Sequence, residues 1–180
     1  MTKPRKLRAL LVGEGNFSFT VSLLRKLKQA DITATCSQEQ NPYCIEQQGF
    51  MAQAVAMGAR VLINVDARCL HLHPSLYADR FDRVIFNFPH VGGKMKICKN
   101  RKLLKDFFTS ASHLLTPGGE ICVTLCKGQG GTPADTQHRR QDDTWKVVEM
   151  AAYGGLVLTD VRPFDATEYP DYSSKRSKVL

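Results

Sequence analysis

Residues 8–19 read RALLVGEGNFSF, an apolar run that breaks into a Gly-x-Gly turn before a second apolar pattern starts. The run 8–12 has the length and composition of a buried strand, and from Phe17 the apolar residues recur at helical spacing. Gly13 suits the tight turn, while Gly15 lets a ligand approach the backbone. The free N–H groups of a helix N-terminus attract ligands. This stretch therefore predicts a ligand-binding βα unit.

The same alternation of short apolar runs and helical patterns continues to the end of the chain. Further strands are predicted at 32–36, 60–65, 83–88, 120–126 and 156–161, each bounded by Gly, Pro, Asp or Asn. Helices are predicted at 17–28, at 103–115 before a Thr-Pro-Gly-Gly turn, and more weakly at about 41–57 and 142–153. In the last helix, Trp145, Val148 and Ala152 are expected to face the sheet. We therefore expect a single α/β domain over 1–180 with a doubly wound, Rossmann-like, mostly parallel sheet.

Composition narrows the class of protein. The 180 residues have 43% apolar and 23% charged side chains, as in globular domains. No apolar run approaches the ~20 residues that span a bilayer, so no membrane association is expected. The six cysteines include no C-x-x-C pair, which favours reduced thiols in an intracellular compartment.

The formal charge of +8 is concentrated in three short segments without acids. Residues 1–8 contain four cations, residues 91–105 contain six, and residues 175–180 contain three, while the remainder of the chain is mildly acidic. Such segments suit a polyanion such as RNA. The alternative, that they are simply solvated faces, is stronger for the two terminal segments than for 91–105.

The Gly-x-Gly turn does not match a dinucleotide fingerprint. That fingerprint needs a third glycine at the position of Ser18. A ligand without a pyrophosphate, such as S-adenosylmethionine (SAM), is favoured over a nicotinamide cofactor. The alternative to a ligand site is that this segment is an ordinary tight βα turn.

Two other predicted strands end in polar residues at the same edge of the sheet, which is the ligand crevice of open α/β folds. Asp66 follows the strand 60–65; its carboxylate can accept the adenine amine of a cofactor beside Ala67, or can cap the next short helix. The strand 83–88 leads into Asn87, Pro89 and His90. An Asn side chain can hold a base edge, Pro stiffens the turn, and an imidazole can take up a proton near neutral pH. An ordinary loop histidine is the alternative for His90.

The loop after the fifth predicted strand, residues 126–135, contains three glycines. It predicts a mobile segment that closes over a flipped base or the cofactor, the alternative being a flexible connection. The His71-x-His73 pair lacks further residues at metal-ligand spacing, so no metal site is predicted.

Four motifs in order resemble the 25S rRNA uridine-N3 methyltransferase-like family. They are residues 12–19, the turn 86–90, the Asn-Arg-x-Leu-Leu-x-x-Phe-Phe stretch 100–108, and the Gly-Gln-Gly-Gly-Thr-Pro loop 128–133. The turn 86–90 is also similar to a permuted Asn-Pro-Pro-aromatic tetrad of nucleic-acid nitrogen methyltransferases. The resemblance spans about residues 8–165 and implies a class I SAM-dependent methyltransferase fold, of which the sequence does not indicate the last strand.

The resemblance also implies site residues. SAM would be the cofactor, held by the turn Gly13, Glu14, Gly15, Asn16 and Phe17 and by Asp66 and Ala67. Asn87, Pro89 and His90 would hold and deprotonate a uridine of ribosomal RNA. Contacts to the RNA would come from Lys94, Lys96, Arg101, Gly130 and Gly131.

One departure from this fold keeps a second function open. An acidic residue normally ends the second strand to bind the ribose hydroxyls, yet this chain has Cys36 and Ser37 there, with Glu39 as the nearest carboxylate. The alternative is a catalytically inactive RNA-binding or interaction module. For either function we expect the nucleolus or the cytoplasm; the sequence does not predict an oligomeric state.

Overall fold

Five parallel strands form the sheet at the centre of the computed structural model, which describes residues 5–37, 45–91, 96–135, 137 and 139–173. The strands are β1 (Leu7–Val12), β2 (Ala30–Thr35), β3 (Arg60–Leu62), β4 (Phe81–Asn87) and β5 (Leu115–Thr124). Their order is β3-β2-β1-β4-β5. The order reverses between β1 and β4, and in such sheets ligands bind at the carboxyl ends of the strands at this switch point.

Helices cover both faces of the sheet, as a doubly wound fold requires. They are α1 (Ser18–Lys26), α2 (Ile45–Ala56), α3 (Ile97–Ser112) and α4 (Val147–Ala152), with 3-10 turns at Ala67–Leu72, Gln141–Asp143 and Ala166–Glu168. One core lies between the sheet, α3 and α4 and contains Phe81, Phe107 and Trp145. The other lies on the α1 side and contains Phe17 and Ile32. The predicted Rossmann-like fold is confirmed.

The predicted sixth strand is wrong. Residues 156–161 belong to no strand, and Val157 is 82% exposed. Apolar and β-branched residues favour a strand only where a neighbouring strand and a core are available to them. After α4 the chain turns at Gly155 (φ 69°), and the Leu156 amide donates back to the Ala151 carbonyl instead of joining the sheet.

The predicted helix 142–153 is much shorter than expected. Lys146 adopts a left-handed conformation (φ 50°) that separates the turn 141–143 from α4. Trp145 is buried as predicted, but Val148 and Ala152 are exposed, and Met150 and Ala151 face the core instead. The interruption changes which face of the helix is inward.

The Thr-Pro-Gly-Gly segment 116–119 lies within β5, as an irregular insertion rather than before the strand. Phe81 pairs with Leu115 and Arg83 pairs with Glu120, so β5 has extra residues between these two pairs. The Thr116 hydroxyl donates to Asp82 across the insertion. Beyond it, the ladder runs in register to the pair of Asn87 and Thr124.

No helix among the described residues is both long and apolar enough to cross a bilayer. The five described cysteines, namely Cys36, Cys69, Cys98, Cys122 and Cys126, form no disulfide.

Candidate functional site

The Gly-x-Gly turn leaves the central strand β1 directly beside β4. Gly13 has φ 69°, and a Cβ atom there would lie 2.6 Å from a ring carbon of Phe86. Both observations require glycine at this position. At Gly15, by contrast, no atom lies within 4 Å of the position a Cβ would take. The turn is therefore packed against β4 at Gly13 and open at Gly15.

The side chains of Glu14 and Asn16 cap the N-terminus of α1. Asn16 Oδ1 accepts hydrogen bonds from the Ser18 amide (3.2 Å) and the Ser18 hydroxyl (2.7 Å). Glu14 Oε2 accepts from the Thr20 amide (3.1 Å) and the Thr20 hydroxyl (2.7 Å). These bonds satisfy amides of the first helical turn, which have no partner within the helix. Phe17 (φ 63°) is fully buried, so it contributes to the core and to the shape of the turn.

Glu14 is an internal carboxyl group. Burial raises its pKa from 4.5 to about 7, because desolvation of the charged form outweighs the two hydrogen bonds from Thr20. Its predicted contact with a cofactor is consequently limited to its backbone as long as the carboxyl group keeps these bonds. The sequence did not reveal this role, because Thr20 carries no motif signal.

Asp66 lies at the carboxyl edge of the sheet and caps the turn Ala67–Leu72. Its carboxylate accepts from the Arg68 amide (2.9 Å) and pairs with the Arg68 guanidinium (2.6 Å), and the hydrogen bonds from that side chain hold the Asp66 pKa below its ordinary value. The capping alternative is thus observed. The Asp66 side chain is 44% exposed, so it remains accessible, and its contact with adenine stays a prediction. Ala67 is buried beside it.

The turn after β4 lies beside the Gly-x-Gly turn, because Val12 and Phe86 are paired neighbours on β1 and β4. Asn87 Oδ1 accepts a hydrogen bond from the Thr124 hydroxyl (2.7 Å), while its Nδ2 is buried without a partner. Phe88 follows with a left-handed backbone (φ 47°), which is uncommon for a bulky residue and typical of functional turns. Pro89 is buried and His90 is exposed.

Asn100 supports this turn from α3 and was not among the predicted site residues. Its Oδ1 accepts from the Val91 amide (3.3 Å), its side chain is 1% exposed, and its Nδ2 has no partner. The Asn-Arg pair at 100–101 was visible as part of a motif, but only the folded chain brings Asn100 to the turn 87–91.

The glycine loop 126–135 is anchored rather than free. The Gln129 carbonyl accepts from the Trp145 amide (2.6 Å), and the Gly130 carbonyl accepts from the Val147 amide (3.0 Å). Asp135 accepts from the amides of Gly131 (2.7 Å) and Thr132 (3.0 Å). The first two bonds hold the loop against Trp145 and the start of α4, and the Asp135 bonds connect residues within the loop. The closing motion of the loop and RNA contacts by Gly130 and Gly131 stay predictions.

Arg101 also holds the chain that precedes α4. Its guanidinium donates to the carbonyls of Gln141 (3.0 Å), Asp142 (2.9 Å) and Thr144 (2.7 Å). A phosphate would compete with these carbonyls for the same N–H groups. The predicted contact of Arg101 with RNA would therefore disturb the 141–144 segment.

The basic segments differ in position and in pairing. Lys94 lies outside the described residues, whereas Lys96 precedes the first turn of α3 next to the turn 87–91. Lys96 and Lys99 are exposed and form no ion pair with the described part of the chain. Arg5 and Arg8 instead pair with Asp82 and Asp79 near the opposite edge of the sheet. Of the described cations, those at the start of α3 are thus the best placed to meet a ligand of the crevice.

A segment near the C-terminal end of the described chain touches both turns. The Phe164 ring contacts the Phe88 ring at 6.0 Å between centroids, and Tyr169 stacks on Phe164 at 5.5 Å. The Asn16 side chain donates to the Ser173 hydroxyl (2.9 Å). The sequence offered no periodic signal for this segment, although its aromatic residues pack against α1.

The residues present fit SAM in part. The open space at Gly15 admits the backbone approach that its methionine end needs, and Asp66 and Ala67 lie at the same edge of the sheet. Neither Cys36 nor Ser37 supplies a ribose-binding carboxylate after β2, and Glu39 lies outside the described residues.

His71 and His73 bond to Ser110 and Ser75, and no group of potential metal ligands occurs in the described ranges.

Comparison with known sequences identifies relatives. A family model described as rRNA (uridine-N3-)-methyltransferase BTM5-like matches residues 10–176. The ferredoxin-fold anticodon-binding domain-containing protein 1 homologue of Mus musculus is 46% identical over 177 residues, covering 94% of this chain and 27% of that protein. Its Homo sapiens counterpart is 41% identical over 181 residues, covering 94% and 27%. The chain thus spans about a quarter of the length of these two relatives.

Comparison with solved structures addresses the fold. The crystal structure of the 16S rRNA methyltransferase KamB has a TM-score of 0.60 at 14% identity, covering 96% of this chain and 80% of that one. A structure described as an antibiotic-related methyltransferase has a TM-score of 0.55 at 14% identity, covering 96% and 80%. With the strand order above, these likenesses show a Rossmann-like fold.

Proposed function

The chain belongs to the rRNA (uridine-N3-)-methyltransferase BTM5-like family, and from this premise we propose that it transfers a methyl group from SAM to N3 of a uridine in ribosomal RNA. The family and the fold make it a methyltransferase-like domain; the cofactor, the base and the activity are the proposal. The observation that carries the proposal is the adjacency of the turns after β1 and β4, on paired strands at the switch point of the sheet. A methyl donor and a base held there would be neighbours.

The cofactor would be held by residues of two loops. The backbone of Gly13 and Gly15 would contact the methionine end, where the open space at Gly15 admits it. Asp66 and Ala67 would contact the adenine. SAM supplies an electrophilic methyl group when it is bound. The protein's task is then to hold the acceptor atom in line and to remove its proton.

The target base imposes two requirements on the chain. Uridine N3 carries a proton and normally sits in a Watson–Crick pair, so the base must be unpaired or flipped into the site. We assign Asn87 and the buried Pro89 to holding the base edge, and the exposed His90 to accepting the N3 proton. Lys96 would contact a phosphate beside the base, as RNA-binding proteins do. Such a protein would act in the nucleolus or the cytoplasm.

A second function, an inactive RNA-binding or interaction module, is favoured by one observation. The two acidic side chains predicted to contact the cofactor are engaged within the described chain, Glu14 with Thr20 and Asp66 with Arg68. If these contacts persist and Glu39 does not replace the missing acid, cofactor affinity is lost while the basic surface remains.

The first test is calorimetric titration of SAM into the 180-residue chain. We expect micromolar binding that Gly15→Asp weakens at least tenfold, because the new carboxylate enters the open space. Gly49 in α2 also has no atom within 4 Å of its Cβ position, so Gly49→Asp is the matched control and should bind normally. Asp66→Ala should weaken binding as well. Absence of binding by the folded wild type would reject the enzyme in favour of the RNA-binding module.

The second test identifies the product. Ribosomal RNA incubated with the protein and labelled SAM is digested to nucleosides and analysed by mass spectrometry. N3-methyluridine is the expected product, and Asn87→Ala should reduce its formation without changing SAM affinity. A methyl group found on C5, on a ribose hydroxyl or on another base would contradict the proposed reaction.

A further inference from the structure

The Asn87 side chain is hydrogen-bonded to the neighbouring strand through its amide oxygen. Asn87 and Thr124 are register partners at the ends of β4 and β5. The Thr124 hydroxyl donates to Asn87 Oδ1 at 2.7 Å, and the Thr124 carbonyl accepts from the Phe88 amide at 2.9 Å. In this structure the amide oxygen of Asn87 is therefore in use, and the register of the two strands keeps the Thr124 hydroxyl beside the Asn87 amide.

The amide nitrogen of Asn87 is the polar atom of this side chain that forms no hydrogen bond. Nδ2 is buried and has no hydrogen-bond partner in the described structure. Nearly all buried polar groups in native proteins have a partner, and an unsatisfied donor is destabilising. An acceptor atom brought by a ligand would satisfy Nδ2. The turn thus offers a donor, not an acceptor, to whatever binds there.

Pyrimidine bases differ in this property. Uracil has a carbonyl oxygen on each side of N3, and carbonyl oxygens accept hydrogen bonds. Cytosine replaces one of them, at C4, with an amino group that donates. A donor facing that position would satisfy uracil and oppose cytosine. A site built to form a hydrogen bond discriminates strongly against an analogue that leaves its polar group unpaired.

We propose that Thr124 determines base specificity by orienting Asn87 as a donor toward the C4 carbonyl of uracil. Thr124 is a positioning residue, since it acts through Asn87 and does not touch the base. This inference rests on the proposed function only in placing the target base at the turn after β4. It adds a reason why the turn takes a uridine and not a cytidine.

Without the Thr124 hydroxyl, the Asn87 amide is free to rotate and present its oxygen to a cytosine amino group. Thr124→Val removes the hydroxyl and keeps the shape of a β-branched side chain, whereas Thr124→Ser keeps the hydroxyl. Thr116 is on the same strand, but its hydroxyl bonds to Asp82 at the opposite end of the β4–β5 pairing from Asn87. Thr116→Val is therefore the matched control. Thermal unfolding would verify that each variant folds.

The test compares two RNA nonamers, four adenosines on each side of a single uridine or a single cytidine. Dissociation constants are measured by fluorescence anisotropy in the presence of S-adenosylhomocysteine, for the wild type and the three variants. We expect the wild type, Thr124→Ser and Thr116→Val to bind the uridine nonamer about tenfold more tightly. Thr124→Val should bind both nonamers within about twofold. Equal binding by the wild type, or an unchanged preference in Thr124→Val, would overturn the inference.

Methyl transfer from labelled SAM to the same nonamers separates this inference from the proposed function. A preference for uridine that depends on Thr124, without methyl transfer to either these nonamers or ribosomal RNA, would reject the enzyme and keep the inferred role of Thr124. Methyl transfer to uridine, with no effect of Thr124→Val on the ratio of affinities for the uridine and cytidine nonamers, would support the enzyme and reject the proposed role of Thr124.

Discussion

Replacement of Glu14 by glutamine should make the protein less sensitive to pH. The buried carboxyl group has a pKa of about 7 in the folded state against 4.5 ordinarily, so the folded state keeps a proton that the unfolded chain releases. Below pH 4.5 both states are protonated and the group does not affect stability. Between pH 4.5 and 7 the unfolded chain binds fewer protons, so stability falls as the pH rises. Above pH 7 the loss is complete.

The size of the effect follows from the difference in pKa. Each pH unit between the two values lowers the free energy of unfolding by about 1.4 kcal/mol, which gives about 3 kcal/mol over the interval. The side chain is buried, so solvent does not screen this contribution. Glutamine retains a carbonyl oxygen that can accept from both Thr20 groups and has no ionisable proton.

The assay is urea unfolding of the wild type and Glu14→Gln between pH 4.5 and 8. The stability difference between the two proteins should shift by about 3 kcal/mol in favour of the variant as the pH rises across this range. Glu149→Gln, at an exposed acid of α4, is the matched substitution outside the core. A stability difference for Glu14→Gln that does not change with pH would refute the reasoning, since the Glu14 carboxyl group would then ionise normally in the folded protein.

Two further results are expected. Gly131→Ala should destabilise the protein by about 1–3 kcal/mol more than Gly118→Ala in urea unfolding. Both glycines have positive φ, but a Cβ atom at Gly131 would lie 2.5 Å from the Thr144 hydroxyl oxygen, whereas no atom lies within 4 Å of a Cβ atom at Gly118. Equal losses of stability would show that the loop adjusts to the added methyl group. The double variant Lys96→Ala, Lys99→Ala should reduce the slope of log affinity for single-stranded RNA against log salt by about 1.4, since each phosphate contact contributes about 0.7. An unchanged slope would show that these lysines do not contact the RNA phosphates.

The sequence predicted those parts of the fold whose signals are local. The βα unit around Gly13 follows from an apolar run, two glycines and a helical repeat, which are all contiguous. The placement of the candidate motifs at one edge of the sheet follows from the general rule for ligand sites in parallel sheets. The prediction of a strand at 156–161 was wrong because a local preference for extended structure does not provide a neighbouring strand for hydrogen bonding.

The contacts that define the site chemistry depend on residues far apart in the chain. Thr124 meets Asn87 only through the register of β4 and β5, which the insertion at 116–119 shifts. Asn100 reaches Val91 through the start of α3, and Glu14 finds its partner on the next helix. Such pairings emerge from packing, and no single motif contains them.

The position of β1 determines how the site responds to denaturation. Strands β2 and β4 flank it on both sides, and Ala9, Leu10 and Leu11 are fully buried. Amides in such a strand exchange with solvent only when the whole domain opens, whereas exposed segments open locally at much lower cost. The Gly-x-Gly turn starts one residue after this strand. The geometry of the turn should therefore persist through local fraying and disappear in the same cooperative transition as the fold itself.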